Sequence, residues 1–133
     1  MILEINFESD EPIYMQLRNR IIEGIAQKKI LPGESLPSVR QMAAELGINL
    51  HTVNKVYNLL KKDGFIVIHK RKGVLVNSLE KMQDPGFTDE LENTLQPFIA
   101  EAICKGIKKD KIQEICENIY TTIKGEMLCL ESQ

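Results

Sequence analysis

The sequence is poor in what catalysis and membrane insertion are built from. Histidine occurs only twice, at His51 and His69, so no imidazole cluster can form. There is no glycine-rich phosphate loop and no nucleophile paired with a base, so an enzyme is not expected. No apolar run approaches the roughly 18–20 residues that cross a bilayer, and no membrane partner is expected. The first residues, MILEINF, carry neither the basic region nor the apolar segment of a signal peptide, which points to the cytoplasm. The three cysteines, Cys104, Cys116 and Cys129, are an odd number without CxxC spacing. They read as buried or half-buried reduced thiols rather than metal or redox groups, and no metal or cofactor is expected.

Net charge is small overall but unevenly placed. The 133 residues sum to −2, yet residues 11–79 hold eleven Lys and Arg against five Asp and Glu. Residues 80–133 reverse the balance, with six Lys against eleven acids. A basic segment joined to an acidic one suggests a part that faces nucleic acid and a part with another task.

The periodicity divides the same way. An extended start, Ile2 to Phe7, leads to Pro12, which suits a first helical turn. Ile13, Leu17, Ile21 and Ile25 then predict a helix over 12–28. LPGESLP, Leu31 to Pro37, reads as a loop because prolines and glycine interrupt it. Ser38 with Gln41 is a capping-box signature opening a helix over 38–46, and Gly47 stops it. Asn49 caps a second helix over 50–62. Two helices joined by a short glycine-containing turn have the spacing of a helix-turn-helix. Asp63-Gly64 ends the second, Phe65 to His69 and Val74 to Asn77 read as two strands, and the basic KRKG lies between them. Three helices and a hairpin in this order describe a winged helix.

The second helix of the pair raises the functional question. Val53, Val56, Tyr57 and Leu60 fall on one side, while His51, Asn54, Lys55, Asn58, Lys61 and Lys62 fall on the other. That polar side has no carboxylate. The major groove of B-DNA accepts a helix, and its base edges match amide and guanidinium donors. Asn54 and Asn58 are expected to read adenine edges or bind phosphate, with His51 approaching either. Lys55, Lys61 and Lys62 are expected to meet phosphates, which position a protein without specifying sequence. Lys70, Arg71 and Lys72 are expected to touch the backbone or minor groove beside the site.

The run LPGESLPSVRQMAAELGINLHTVNKVYNLLKKDGFI resembles the winged-helix domain of GntR-type bacterial transcription regulators. The resemblance rests on LPG-x-x-LPS-x-R, Leu31 to Arg40, then A-x-x-LG, Ala43 to Gly47, then Thr52-Val53, and it covers residues 11–79. It implies operator binding, usually repression, and often control of an operon with ABC-transporter genes. By the same resemblance Arg40 matches a DNA-contacting arginine, Ser38 its helix cap, Thr52 a backbone-contacting hydroxyl and Gly73 the wing-turn glycine. With Asn49 beside His51 at the helix start, these complete the expected DNA-binding set. Two positions depart from the pattern. Leu50 stands where many members carry arginine, and Arg71 replaces the first glycine of the wing-tip GxG.

Beyond a short linker over 81–86, Leu91, Leu95, Phe98, Ala102 and Ile103 predict a helix over 88–105, capped by Thr88, stopped by Gly106 and kinked or frayed at Pro97. Ile112, Ile115, Ile119 and Ile123 predict another over 109–125. This tail resembles the small dimerising domain of the YtrA subfamily. A helical pair of this size does not bury an adequate core alone, so its apolar stripes must meet the basic domain, a second copy, or both. Symmetric dimers are the commonest solution. The expectation is an α+β, mostly α, chain with a winged helix-turn-helix over 11–79 and a dimerisation region over 80–133. Its partners would be a double-stranded operator and a second copy; the sequence shows neither the existence nor the identity of an effector. The rival class is a winged helix that binds protein, whose recognition face would be apolar or acidic rather than polar and basic.

Overall fold

The computed structural model describes residues 3–125, so Cys129 lies outside the described residues, as does Ile2. The contacts divide into two units, one up to Met82 and the other from Gln83. No helix among the described residues is long and apolar enough to cross a membrane.

In the first unit, α1 runs Ile13–Ala26. Pro12 stands one place before it, as the N-cap, and not inside its first turn. The buried glutamine of this helix, Gln16, fastens the preceding segment. Its amide accepts from the Asn6 N–H at 2.8 Å and donates to the carbonyls of Asn6 and Glu11. The helix stops two residues earlier than its periodicity suggests because Lys28 turns left-handed, at φ 62°. The N–H groups of Lys29 and Ile30 then both donate to the Gly24 carbonyl, at 2.9 and 3.0 Å. Ile30 thereby returns beneath the helix, against a glycine whose missing Cβ would stand 2.7 Å from its Cδ1.

The loop expected at Leu31 to Pro37 contains a strand. Residues Ser35–Leu36 form β1, which pairs antiparallel with β3, Gly73–Val76, as β3 does with β2, Ile66–His69. The order is β1-β3-β2, with Leu36 opposite Val74 and Ile66 opposite Val76. The prolines are compatible because both flank the two-residue strand rather than interrupt it.

Between β1 and β2 lie α2, Val39–Leu46, and α3, Leu50–Lys62. Both sides of the capping box at Ser38 and Gln41 are made, and Gly47 adopts φ 67° at the end of α2. The core joins α1, α2, α3 and the sheet through Leu17, Ile21, Met42, Val56, Leu60 and Val76, all almost wholly buried. Each such side chain stabilises the fold by about 1.5–3 kcal/mol. The linker is not irregular throughout: Leu79–Met82 forms a single helical turn, α4, and Met82 packs against the core.

The second unit consists of α5, Phe87–Cys104, and α6, Lys109–Lys124, joined by a turn in which Gly106 takes a positive φ. Thr88 is not the cap, since α5 begins at Phe87 with Gly86 before it. Asp84 orders this entry instead, accepting from the Gly86 N–H at 2.9 Å. Asp89 and Glu90 in the first turn complement the positive end of the helix. The helix runs through Pro97 unbroken. The carbonyl that proline leaves without a donor, on Asn93, belongs to an exposed residue where water can satisfy it. No described residue of this unit is buried. Cys104 and Cys116 are free and exposed, contrary to the expectation of buried thiols. Cys116 lies within the α6 isoleucine stripe, one turn beyond Ile112, while Cys104 stands at the last residue of α5, off its apolar side.

Candidate nucleic-acid interface

The site is assembled around α3. Its inward face is set by Val53, Val56, Tyr57 and Leu60, each no more than 1% exposed. A helix anchored so firmly on one side holds the other at a fixed orientation. His51, Asn54, Lys55, Asn58, Lys61 and Lys62 are all exposed, and Thr52 is half-buried on the flank. The side chains of His51, Asn54 and Asn58 have no hydrogen bond or ion pair among the described residues. Their donors and acceptors are free for an external partner.

The helix starts frame this face. The Asn49 side chain accepts from the His51 N–H at 2.7 Å, and the Ser38 hydroxyl oxygen accepts from the Gln41 N–H at 3.1 Å. Both oxygens are thus committed to caps, leaving the Asn49 amide N–H groups and the Ser38 proton to donate outward. Arg40, one residue into α2, is exposed and has no carboxylate partner among the described residues. A structural ion pair therefore does not account for it.

Sequence periodicity missed what joins these starts. The buried Tyr57 hydroxyl donates to the Pro37 carbonyl at 2.7 Å. Burial, with a smaller contribution from the Glu45 carboxylate, pushes its phenol well above the ordinary range and keeps it a donor. One side chain of α3 so fixes the residue that precedes the Ser38 cap. A partner 20 residues away leaves no local signature. The opposite end of α3 is tied to α1 by the half-exposed pair Arg18 and Asp63, 3.8 Å apart.

Lys55 is the residue whose surroundings differ most from expectation. Its Nζ lies 3.7 Å from the ring centroid of Tyr14 on α1. It is therefore held to one flank of α3, whereas His51, Asn54 and Asn58 stand unattached.

The wing is ordered by its own histidine. His69 Nδ1 accepts from the N–H groups of Arg71 and Lys72, both at 3.3 Å. Gly73 then leaves the turn at φ 79°, a conformation that costs a side-chain-bearing residue about 1–2 kcal/mol. Lys70, Arg71 and Lys72 are exposed at the tip and carry no ion pair among the described residues. With Arg40 and α3 they give the first unit a set of unneutralised cations and amides, suited to a polyanion with hydrogen-bonding edges.

The expected dimerisation residues form a separate exposed group. Leu91, Leu95, Phe98 and Ile103 on α5 and Ile115 and Ile119 on α6 are exposed, with Phe98 and Ile103 at 67% and 65%. Ile112 and Ile123 are half-buried. Leu91, Leu95, Ile99 and Ile103 line a groove of about 610 Å³ on α5.

Comparison with known proteins agrees with this geometry. Residues 11–76 match the description "Bacterial regulatory proteins, gntR family". The chain is 30% identical over 125 residues to the uncharacterized HTH-type transcriptional regulator YhcF of Bacillus subtilis, covering 92% of this chain and 99% of that one. It is 28% identical to the HTH-type transcriptional repressor YtrA of the same organism, covering 93% and 96%. Among solved structures, a transcriptional antiterminator from Listeria monocytogenes superposes with a TM-score of 0.85 at 27% identity, over 93% of each chain. The DNA-binding domain of AraR, solved in complex with operator ORX1, superposes with a TM-score of 0.51 at 27% identity, over 57% of this chain and 98% of that one.

Proposed function

The chain belongs to the gntR family of bacterial regulatory proteins, and from that membership we propose that it acts as a homodimeric repressor on a palindromic operator. The coarser part needs no proposal: it is a YtrA-like, DNA-binding transcription regulator, and its relatives are regulators rather than enzymes. We assign residues 11–79 to operator binding and 80–133 to pairing, in the cytoplasm where the chromosome lies.

The observation that carries the reading is the exposed, carboxylate-free face of α3. Asn54, Asn58 and His51 enter the major groove, and Arg40 contacts a base edge or phosphate at its margin. Thr52, Lys55, Lys61 and Lys62 meet the backbone, and Asn49 and Ser38 donate from the helix starts. Lys70, Arg71, Lys72 and the backbone at Gly73 follow the neighbouring strand or minor groove. An acidic or apolar recognition face would favour a protein partner, and the exposed face of α3 is polar and basic.

The pairing surface is the stripe containing Leu91, Leu95, Phe98, Ile103, Ile112, Ile115, Ile119 and Ile123. Apolar area of this extent on so small a unit is supported by burial against its own copy. The relative named a repressor, YtrA, aligns across this region as well. A two-fold dimer would present its two α3 helices to successive major grooves, about 34–36 Å apart.

Selection of duplexes from random DNA by the purified chain, followed by footprinting, tests the proposal. Two protected, inverted half-sites one helical turn apart are expected. Protection of a single asymmetric site would overturn the palindrome and the dimer together. The selected sequence, located in the genome, identifies the controlled genes; a transporter operon is the class the family resemblance implies.

A further inference from the structure

Lys55 is the one cation of the α3 face that the fold holds in place. Its ammonium stands 3.7 Å from the centre of the Tyr14 ring, well within the range at which an aromatic quadrupole attracts a cation. Tyr14 is half-buried on α1, and α1 packs on α3 through Leu17 and Ile21. The ring is therefore a fixed post rather than a mobile neighbour. Lys55 has no carboxylate partner among the described residues, so the ring orients its charge without cancelling it. A π face engages one side of an ammonium and leaves N–H groups free to donate. Lys61 and Lys62, by contrast, are exposed at the last turn of α3 without such a support.

We propose that Tyr14 is a positioning residue for DNA binding, its ring holding the Lys55 ammonium at the α1 side of α3 so that it meets a backbone phosphate there. The inference rests on the operator-binding reading and adds a residue outside the helix-turn-helix and the wing. A free lysine must surrender most of its rotamer freedom to hold a phosphate. The ring biases Lys55 toward that arrangement in the folded protein, so the contact forms at smaller entropic cost. The same tether removes Lys55 from base readout, which leaves that task to His51, Asn54 and Asn58. Tyr14 touches no DNA in this account and acts only through Lys55.

The test uses the full chain and a selected operator duplex, titrated by fluorescence anisotropy at several salt concentrations. Lys55→Gln removes one phosphate contact per copy and is expected to lower the slope of log affinity against log salt by about two units for the dimer. Tyr14→Leu is expected to weaken binding about two- to fivefold, and to have no further effect when Lys55→Gln is present. Tyr14→Phe keeps the ring and should bind as the native chain does. Pentafluorophenylalanine at position 14 keeps the ring's shape and reverses its quadrupole. It should reproduce the loss seen with leucine, even if leucine itself disturbs the packing of α1. Equal losses from Tyr14→Leu with and without Lys55, or full binding with the fluorinated ring, would overturn the proposal. An unchanged salt slope for Lys55→Gln would do so as well. If binding still depends on Arg40 in those cases, operator recognition stands and only the role of Tyr14 falls. Failure of the native chain to bind any duplex would remove both.

Discussion

The Tyr57 hydroxyl and the Pro37 carbonyl, 2.7 Å apart, couple the buried side of α3 to the residue before the α2 cap. The bond fixes the direction from which Ser38 and Arg40 enter the site, so a residue that cannot reach DNA helps to place one that can. Tyr57→Phe keeps the buried ring and removes the donor. Thermal or urea unfolding should register a loss of about 1 kcal/mol, and operator affinity should fall because the α2 start is less firmly held. Unchanged unfolding with unchanged affinity would show that the bond contributes nothing.

The same phenol makes stability depend on alkaline pH. Its pKa is raised in the folded chain, by burial first and by Glu45 second. The unfolded chain therefore releases this proton at a lower pH than the folded one. The contribution is complete below about pH 10, where an unfolded tyrosine titrates, and is lost progressively as pH rises from there toward the higher folded value. Urea midpoints of the native chain should fall above about pH 10 more steeply than those of Tyr57→Phe. Parallel curves would mean that this phenol ionises equally in both states.

Arg40 is exposed and unpaired among the described residues, so truncation should separate binding from folding. Arg40→Ala should weaken operator binding by about 1–3 kcal/mol, roughly ten- to a hundredfold, as expected for loss of a base-contacting arginine. Its unfolding midpoint should move by no more than about 0.5 kcal/mol, the usual range for a surface change. Gel-shift titration beside chemical denaturation measures both, and native affinity in the variant would remove Arg40 from the interface.

Much of this architecture is readable from local pattern because local pattern causes it. Val53, Val56, Tyr57 and Leu60 recur at helical spacing, and the core requires that spacing. Ser38, Gln41, Gly47 and Asn49 carry the backbone chemistry of helix ends within a few residues of where it acts. The features that escaped depend on distant partners. Ser35–Leu36 is a strand only because Leu75 and Val74 lie opposite, and two residues offer no alternation to detect. The turn Leu79–Met82 is too short for periodicity to register. Tyr14 and Lys55 meet through the packing of α1 on α3, so the site's polar face, Lys55 included, could be named while the ring that holds Lys55 could not.

Lys28 is the described non-glycine residue with a positive φ, 62°, and it occupies the position after α1 where glycine is usual. An L side chain there costs about 1–2 kcal/mol, partly offset because glycine has more freedom to lose on folding. Lys28→Gly should therefore stabilise the chain by about 0.5–1 kcal/mol. The side chain is exposed and carries no ion pair among the described residues, so no contact is lost with it. A lower denaturation midpoint in the variant would mean that the lysine stem supports the turn in a way its exposure does not suggest.

The pairing surface makes a prediction that links both units through DNA affinity alone. Leu95 lines the α5 groove and is 43% exposed. Placing a carboxylate there with Leu95→Asp should cost little in an uncovered helix, since the group remains hydrated. In a dimer it would be buried without a partner, at a cost of several kcal/mol per copy. Light scattering should therefore report a monomer at concentrations where the native chain is a dimer. The variant should retain weak binding to a single half-site, because α3 and the wing are untouched, while losing the added affinity that comes from linking two half-sites. The effective-concentration gain from such linkage reaches about 10²–10⁴-fold, so the difference is large enough to separate from an altered contact. A variant that stays dimeric and keeps full operator affinity would place the interface elsewhere on the chain.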